Sequence, residues 1–309
     1  MKDDSCEVIL IAGFLGAGKT TLLRNILQWP GDLSKTAVLV NEFGQIGIDG
    51  ELLQGFQTPV YELTNGCICC TLQGDFHTAV VEILDGFHPK RMLIEATGVA
   101  DPYDILNFLK ASKIENRISA PKVLTVLAGD LWEGREYFGP LFYNQIKAAE
   151  LLLFNKVDLL SKEEVPRSLQ EIREINPSCS VVPTHHCHVD PEVLWKPGVG
   201  GDHQTEFHLH HAHTDHGSAD EMGYVAFSFE DRSAFKTDCF HRFIESLPIE
   251  MYRVKGFALL EDKRFFLNHV GGNTEWVELD EVGPTKLAFV GWQVNEEETL
   301  KALKGCLNP

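Results

Sequence analysis

The sequence predicts an α/β fold, in which a mainly parallel sheet carries helices on both faces, followed by a smaller α+β C-terminal domain. Three observations predict it. Up to about residue 184, short apolar segments alternate with amphipathic ones, as in βαβ units. A glycine-rich turn and then a helical pattern follow the first apolar segment. After about residue 222, strand-like segments follow one another, with one helical pattern after the first and one at the end.

The glycine-rich turn spans Gly13–Thr20 and fits G-x-x-x-x-G-K-[ST] at every fixed position. It follows the apolar segment Val8–Ala12, and residues 21–27 have leucine and isoleucine at helical spacing. Strand, turn and helix together are the context of a phosphate-binding loop, where backbone N–H groups and a helix start converge on phosphates. We therefore predict a P-loop NTPase fold, in which Lys19 reaches the β- and γ-phosphates and the Thr20 hydroxyl binds Mg²⁺.

The other elements of the first domain follow in alternation. The predicted strands are Thr36–Val40, Pro59–Leu63, Arg91–Ala96, Lys122–Leu127, Leu151–Phe154 and Ser180–Pro183. The predicted helices are Phe76–Leu84, Tyr103–Leu109, Leu141–Ala149 and Lys162–Ile175. Because ligands of such sheets bind at the carboxyl ends of the strands, motifs that follow these strands are candidates for the site.

A change of composition separates two predicted domains, residues 1–184 and 222–309. Residues 185–221 between them are rich in histidine and have neither a helical nor a strand period, which predicts a mobile linker. These histidines are also a compositional signal for metal binding, and a merely polar linker is the alternative. In the C-terminal domain we predict strands at 224–229, 252–260, 264–270 and 286–294, and helices at 235–247 and 296–303.

Charge and composition exclude several classes of function. The net charge of −18 argues against binding to nucleic acids or to anionic membrane surfaces. No apolar run approaches the roughly 20 residues of a transmembrane helix, and residues 1–4 are too acidic for a secretory signal. We therefore expect a cytoplasmic protein, in which the eight cysteines are thiols or metal ligands rather than disulfides.

A candidate base-recognition motif follows the segment 151–154. Residues Asn155–Asp158 read N-K-x-D. The carboxylate of Asp158 can accept the N1–H and the exocyclic amino hydrogens of guanine, which adenine does not offer. Asn155 and Lys156 would brace the loop and cover the base. A four-residue pattern is weak alone, but downstream of a phosphate loop it favours GTP over ATP.

The strand 91–96 is followed by a glycine and carries a carboxylate near its end. Glu95 is placed to hold Mg²⁺ through water or to orient the attacking water, and Gly98 could donate its N–H to the γ-phosphate. The alternative for Glu95 is an ordinary strand-end carboxylate. We expect Lys19 and Glu95 to be catalytic. The predicted nucleotide contacts are Gly13, Gly16, Ala17, Gly18, Lys19, Thr20, Thr21, Gly98, Asn155, Lys156 and Asp158.

Three thiols lie within four residues, at Cys67, Cys69 and Cys70. The C-x-x-C spacing of Cys67 and Cys70 lets two sulfurs converge on one tetrahedral ion. Thiolates favour Zn²⁺ or Cu⁺ and also bind Co²⁺ and Ni²⁺. Three cysteines leave one position for an exogenous ligand or a hand-over partner. The alternatives are a redox pair or small core residues.

Together these motifs resemble the CobW-like P-loop GTPases, relatives of the UreG and HypB nickel-insertion GTPases. The matching segments are Gly13–Thr20, Asn41–Gly44 with Ile48-Asp49, Asn65–Cys70, Leu93–Gly98 with Ala100–Pro102, Asn155–Asp158, Arg253–Phe257, Val270–Gly272 and the strand of Trp292. Two positions depart from the family pattern. Gln45 stands where many members have Glu, so it is not assigned as a ligand, and Ala128-Gly129-Asp130 stands where Val-Asp-Ala is common.

The resemblance implies a GTP-hydrolysing metallochaperone that uses Mg²⁺ and binds zinc, or cobalt or nickel, at Cys67, Cys69 and Cys70. The thiols would lie beside a switch segment, residues 41–49, and the metal would pass to a metal-dependent client protein. The C-terminal domain would recognise the client or form a homodimer contact. The alternative is a His-rich metal buffer or sensor whose GTP site regulates oligomerisation or partner binding. A small-molecule kinase is a third interpretation.

Overall fold

The computed structural model describes residues 5–30, 32–41, 58–63, 72–110, 113–195, 223–270, 272–279 and 283–308. These residues form two compact units. The second unit contains residues 136–139 together with the residues from 223 onward, and the first unit contains the others. No helix in this part of the chain is long and apolar enough to cross a membrane.

A seven-stranded parallel sheet forms the centre of the first unit. Its strands are β1 (Glu7–Ala12), β2 (Thr36–Asn41), β3 (Val60–Leu63), β4 (Arg91–Glu95), β5 (Lys122–Ala128), β6 (Leu151–Asn155) and β7 (Ser180–Pro183). They are hydrogen-bonded in the order β3-β2-β4-β1-β5-β6-β7, and every pair is parallel. Because β1 lies between β4 and β5, the loop after it opens at the middle of the carboxyl edge of the sheet.

Helices cover both faces of this sheet. They are α1 (Lys19–Leu27), α2 (Leu72–Gly86), α3 (Pro102–Leu109), α4 (Gly139–Ala148), α5 (Glu164–Ile175) and α6 (Pro191–Trp195). Successive side chains of β1 point to opposite faces: Leu10 packs in the core that includes α2 and α3, and Ile11 in the core that includes α1. Strands covered on both faces read as continuous apolar runs, which is why the sequence predicted them. The predicted α/β architecture is confirmed.

The second unit is an antiparallel sheet with two helices. Its strands are β8 (Tyr224–Asp231), β9 (Arg253–Leu260), β10 (Lys263–Val270), β11 (Asn273–Leu279) and β12 (Thr285–Trp292), in the order β11-β10-β9-β12-β8. Its helices are α7 (Thr237–Glu245) and α8 (Glu296–Lys304). Phenylalanines dominate its core, with Phe227 stacked on Phe289 and Phe235 on Phe240. The predicted α+β domain is confirmed.

Residues 136–139, which lead into α4 and include its first residue, belong to the second unit. The hydroxyl of Tyr252 donates to the Tyr137 carbonyl at 2.6 Å, and that of Tyr224 donates to the Phe138 carbonyl at 2.6 Å. The ring of Phe138 also contacts that of Tyr252. The predicted first domain, 1–184, therefore contains a short segment that the second unit incorporates.

Two elements differ from the sequence prediction. Strand β11 was not predicted, because Glu275 and Glu278 lie on an exposed edge strand and obscure its alternation. Helix α6 lies within the predicted linker 185–221, which therefore begins with folded residues. Leu194 and Cys187 are buried in the core that includes α1, so tertiary packing orders a stretch with no period of its own. The rest of that linker, from residue 196 onward, lies outside the described residues.

A disulfide joins Cys239 in α7 to Cys306, which follows α8. The expectation that the cysteines are thiols or metal ligands is wrong for this pair. The end of the chain is hydrogen-bonded beside the start of α7, since Lys236 N–H donates to the Cys306 carbonyl at 2.9 Å. The two cysteines are 67 residues apart, a non-local contact that spacing does not reveal. Cys6 and Cys179 are free thiols and are buried, as the expectation for the cysteines allows.

We expect a reductant to destabilise the second unit, because a cross-link restricts the unfolded chain. Native disulfides that close loops of this size typically contribute about 2–4 kcal/mol. Urea unfolding followed by circular dichroism, with and without dithiothreitol, measures the difference. Cys306→Ser is the control, since its stability should not respond to reductant. An unchanged wild-type transition in dithiothreitol would contradict the prediction.

Candidate functional site

The phosphate loop connects β1 to α1 with a backbone that only glycine tolerates at two positions. Gly13 has φ of 139°, and a Cβ there would lie 2.1 Å from the Val126 carbonyl oxygen. Gly18, directly before α1, has φ of 112°, and a Cβ would lie 2.7 Å from Nδ2 of Asn155. Both φ values are positive, a region that residues with a side chain rarely adopt, and neither position has room for a Cβ. The loop therefore requires glycine at positions 13 and 18, the two glycines that the sequence motif specifies.

Lys19 opens α1 and its side chain folds over the loop. The residue is only 8% exposed. Its Nζ donates to the carbonyl of Gly13 at 2.9 Å and to that of Phe14 at 3.2 Å. An ammonium group and backbone N–H groups at a helix start are groups that can bind phosphate, as the sequence predicted for this loop.

Thr20 and Glu95 meet at the carboxyl edge of the sheet. The Thr20 hydroxyl donates to Oε1 of Glu95 at 2.9 Å, and Glu95 is 6% exposed. The contact follows from topology, because β4, which ends in Glu95, is the neighbour of β1. A hydroxyl and a carboxylate are oxygen donors of the kind that Mg²⁺ prefers, so the pair fits that ion. The sequence placed both residues near Mg²⁺ but did not reveal their mutual hydrogen bond.

The loop after β4 lies directly against the phosphate loop. A Cβ on Gly98 would meet the backbone nitrogen of Leu15 at 2.7 Å. Gly98 is therefore close enough to share a ligand with the phosphate loop, as its predicted role requires.

The side chain of Asn155 is hydrogen-bonded to the phosphate loop and to the segment after β7. Its Nδ2 donates to the Ala17 carbonyl at 2.9 Å. Its Oδ1 accepts from the Thr184 hydroxyl at 3.2 Å and from the Cys187 N–H at 2.9 Å. These hydrogen bonds are the geometry behind the bracing role predicted for Asn155. Through them, its side chain links the phosphate loop to the segment after β7.

The remaining base-motif residues lie at the surface. Lys156 adopts φ of 60°, and its Nζ pairs with Oδ2 of Asp130 at 2.9 Å. Asp158 is exposed and lies in a short 3₁₀ turn, Val157–Leu159. A carboxylate in that position is accessible to a ligand that enters from solvent.

Sequence reasoning missed three residues of this network: Asp130, Thr184 and Cys187. Each follows a strand of the sheet, Asp130 after β5 and the others after β7. The carboxyl-edge rule could have identified them; Asp130 stands out in the sequence only as part of a departure from the family pattern, and Thr184 and Cys187 belong to no motif. Cys187 is fully buried, its Sγ lies 3.3 Å from the Gly18 carbonyl, and burial raises the pKa of its thiol to about 12. It is therefore a neutral packing residue.

The predicted metal ligands Cys67, Cys69 and Cys70 and nearly all of the switch segment 41–49 lie outside the described residues. Among the residues that are described, no group of three or more His, Cys, Asp or Glu side chains is arranged to hold a metal ion. His185, His186 and His188 share a tight turn, but their ring centroids are 5.9–6.4 Å apart. The other linker histidines, 203–216, are also outside the described part.

Comparison with known proteins identifies two matching family models. Residues 7–183 match "CobW/HypB/UreG, nucleotide-binding domain", and residues 224–307 match "Cobalamin synthesis protein cobW C-terminal domain". A zinc chaperone CobW from Sinorhizobium sp is 28% identical, covering 95% of this chain and 94% of that protein. Zinc-regulated GTPase metalloprotein activator 1 of Schizosaccharomyces pombe is 30% identical over 64% of this chain and 51% of its own.

Among solved structures, Zn(II)-bound YjiA GTPase from E. coli is similar to this chain. The two share 22% sequence identity with a TM-score of 0.47, covering 98% of this chain and 99% of that one. HypB from Helicobacter pylori in complex with nickel has a TM-score of 0.43, with 16% identity over 60% of this chain and 81% of that one.

Proposed function

Since the chain belongs to the CobW/HypB/UreG family of nucleotide-binding domains, we propose that it is a GTPase that carries Zn²⁺, or a similar transition metal, to a client protein. The metal would bind at Cys67, Cys69 and Cys70 under nucleotide control. The observation that carries the proposal is the assembly of Lys19, Thr20 and Glu95 around one phosphate loop, in a chain whose relatives are named zinc chaperones. A cytoplasmic location and a metal-dependent client are part of the proposal.

The phosphate end of GTP would be bound by the loop and by Lys19. The Lys19 ammonium would exchange its two carbonyl contacts for the β- and γ-phosphate oxygens and offset their charge. The Thr20 hydroxyl would hold Mg²⁺, which supplies charge neutralisation when bound. Glu95, buried beside Thr20, would support that site through water or orient the attacking water. Gly98 would donate its N–H to the γ-phosphate.

The base end of GTP would be selected by the exposed carboxylate of Asp158. That group can accept two N–H hydrogens from the edge of guanine. Lys156, which pairs with Asp130, would cover the base. Asn155 would hold the loop after β6 against the phosphate loop through its bond to the Ala17 carbonyl.

Coupling between nucleotide and metal is supported by the position of the thiols in the chain. The segment 64–71 that contains them leaves β3 at Leu63 and enters α2 at Leu72. The segment with the switch residues leaves the neighbouring strand β2, and β2 in turn pairs with β4, which ends in Glu95. All three strands are parallel, so both segments start from the edge of the sheet that carries the phosphate loop. When the γ-phosphate and Mg²⁺ order the switch segment, the metal affinity of the thiols in the segment 64–71 would change.

Two variants separate a chaperone from a metal buffer. The substitution Cys67→Ser/Cys69→Ser/Cys70→Ser should abolish tight Zn²⁺ binding, because hydroxyls are poor ligands for this ion. Deletion of residues 203–216 should leave that binding intact. Competitive Zn²⁺ titration against a chromogenic chelator measures both. If the deletion removes most of the capacity and the serine variant does not, the protein is a buffer and the proposal fails.

A further inference from the structure

Helix α4 carries two buried amides that the sequence motifs do not include. Asn144 is 8% exposed and Gln145 is 2% exposed. Burying an amide costs free energy unless it is hydrogen-bonded, so the partners of these side chains indicate what the helix holds. Both amides bond to the loop after β4, the loop that contains Gly98.

Gln145 holds the first part of that loop. Its Nε2 donates to the carbonyl of Gly98 at 3.2 Å and to that of Ala100 at 3.3 Å. The two carbonyls belong to a turn in which Ala100 N–H donates to the Thr97 carbonyl at 3.1 Å. The backbone of Gln145 is itself fixed, because its carbonyl accepts from the buried Thr125 hydroxyl of β5 at 2.7 Å. Gln145 thus holds the carbonyls on either side of Val99, next to the peptide group that carries the Gly98 N–H.

Asn144 holds the other end of the loop. Its Nδ2 donates to Oδ2 of Asp101 at 2.8 Å, while Oδ1 of the same carboxylate accepts from the Tyr103 N–H at 2.9 Å and caps α3. Asp101 is 4% exposed, and its two oxygens are therefore shared between α4 and the start of α3. One helix clamps residues 98–101 at both ends.

The same helix also contacts the phosphate loop. The ring of Phe142 packs edge-on against that of Phe14, with centroids 5.8 Å apart, and both residues are buried. Gly98 lies against the backbone of Leu15 on the adjoining side. Helix α4 therefore sets the spacing between the phosphate loop and the Gly98 loop.

We infer that Gln145 and Asn144 are positioning residues for the γ-phosphate. They hold the Gly98 loop at the distance from the phosphate loop at which a nucleoside triphosphate, but not a diphosphate, engages both. The inference rests on the proposed GTPase function and adds to it the element that distinguishes GTP from GDP. Neither side chain would touch the nucleotide: Gln145 acts through two loop carbonyls and Asn144 through the carboxylate of Asp101.

The test compares two nucleotides on the full-length protein. Gln145→Met keeps the size of the side chain and removes both donors. We expect it to lower the affinity for a non-hydrolysable GTP analogue about tenfold, because the Gly98–Ala100 backbone loses both bonds and no longer fixes the adjoining Gly98 N–H. The affinity for GDP should change less than twofold. Isothermal titration calorimetry in Mg²⁺ measures both constants, and Asn144→Ala should shift their ratio in the same direction if Gln145→Met does not fold.

Asn176→Ala is the matched control. Asn176 is 6% exposed, and its Nδ2 caps the other end of α4 by donating to the carbonyls of Ile146 at 2.8 Å and Ala149 at 2.9 Å. Its loss should lower stability without changing the ratio of the two affinities. The inference is overturned if folded Gln145→Met keeps the wild-type ratio of affinities for the GTP analogue and GDP. It is also overturned if Asn176→Ala changes that ratio as much as Gln145→Met does. If the wild-type protein binds no guanine nucleotide, the proposed function fails instead.

Discussion

Lys19→Ala should reduce the affinity for GTP and the rate of its hydrolysis by about 10²- to 10⁴-fold. The ammonium is the one buried cation that directly contacts the loop in the described structure, with donors at 2.9 and 3.2 Å from two loop carbonyls. Hydrogen bonds to charged groups contribute about 1.5–3 kcal/mol each, and Lys19 would make two of them to phosphate.

Fluorescent GTP analogues and phosphate release measure the two effects of Lys19→Ala. Lys162→Ala, at an exposed position before α5, is the matched control and should behave as wild type. Circular dichroism establishes that the variant is folded. Hydrolysis within threefold of the wild-type rate would contradict the role given to Lys19.

Asp158→Asn should exchange the preferred base. A carboxylate accepts both N1–H and the amino group of guanine, whereas an amide offers one acceptor and one donor. That pattern fits xanthine, which carries a carbonyl where guanine carries its amino group. Loss of about two charge-assisted hydrogen bonds predicts a fall of about 10²- to 10⁴-fold in affinity for GTP, together with a gain for xanthosine triphosphate.

Competition between the two triphosphates for a fluorescent probe measures the exchange at Asp158. Asp130→Asn is the control, because it applies the same change to a nearby carboxylate whose partner is the Lys156 ammonium. Exposed pairs contribute about 0–1 kcal/mol, so a minor effect is expected there. Unchanged discrimination in Asp158→Asn would mean that the motif does not read the base.

The sequence predicted those parts of the fold whose conformation is determined by residues close together in the chain. The phosphate loop could be read because Gly13 and Gly18 are required by backbone conformation, and β1 because burial on both faces requires an apolar run. The N-K-x-D residues were found from their place after a strand. What the pattern could not supply was the bracing contact of Asn155, which depends on side-chain geometry across three loops.

Non-local contacts were not predictable in the same way. Cys239 and Cys306 are brought together only by the fold of the second unit, and the segment 136–139 is captured by tyrosines more than 80 residues away. Cys187 belongs to no sequence motif, yet it is buried in the core at the start of the stretch that the sequence predicted as a linker. In the sequence, Gln145 cannot be distinguished from any other polar residue of an amphipathic helix. Its role becomes visible only from the Gly98 and Ala100 carbonyls that it bonds.

The most direct test of the account is the dependence of Zn²⁺ affinity on the bound nucleotide. Competitive Zn²⁺ titrations of the Mg²⁺-loaded protein, with GDP and with a non-hydrolysable GTP analogue, give two dissociation constants. Couplings between sites are typically about 1–3 kcal/mol, so the two constants should differ by roughly 5- to 150-fold. The difference should disappear in the Cys67→Ser/Cys69→Ser/Cys70→Ser variant. Equal affinities in both states would contradict a nucleotide-gated metal carrier.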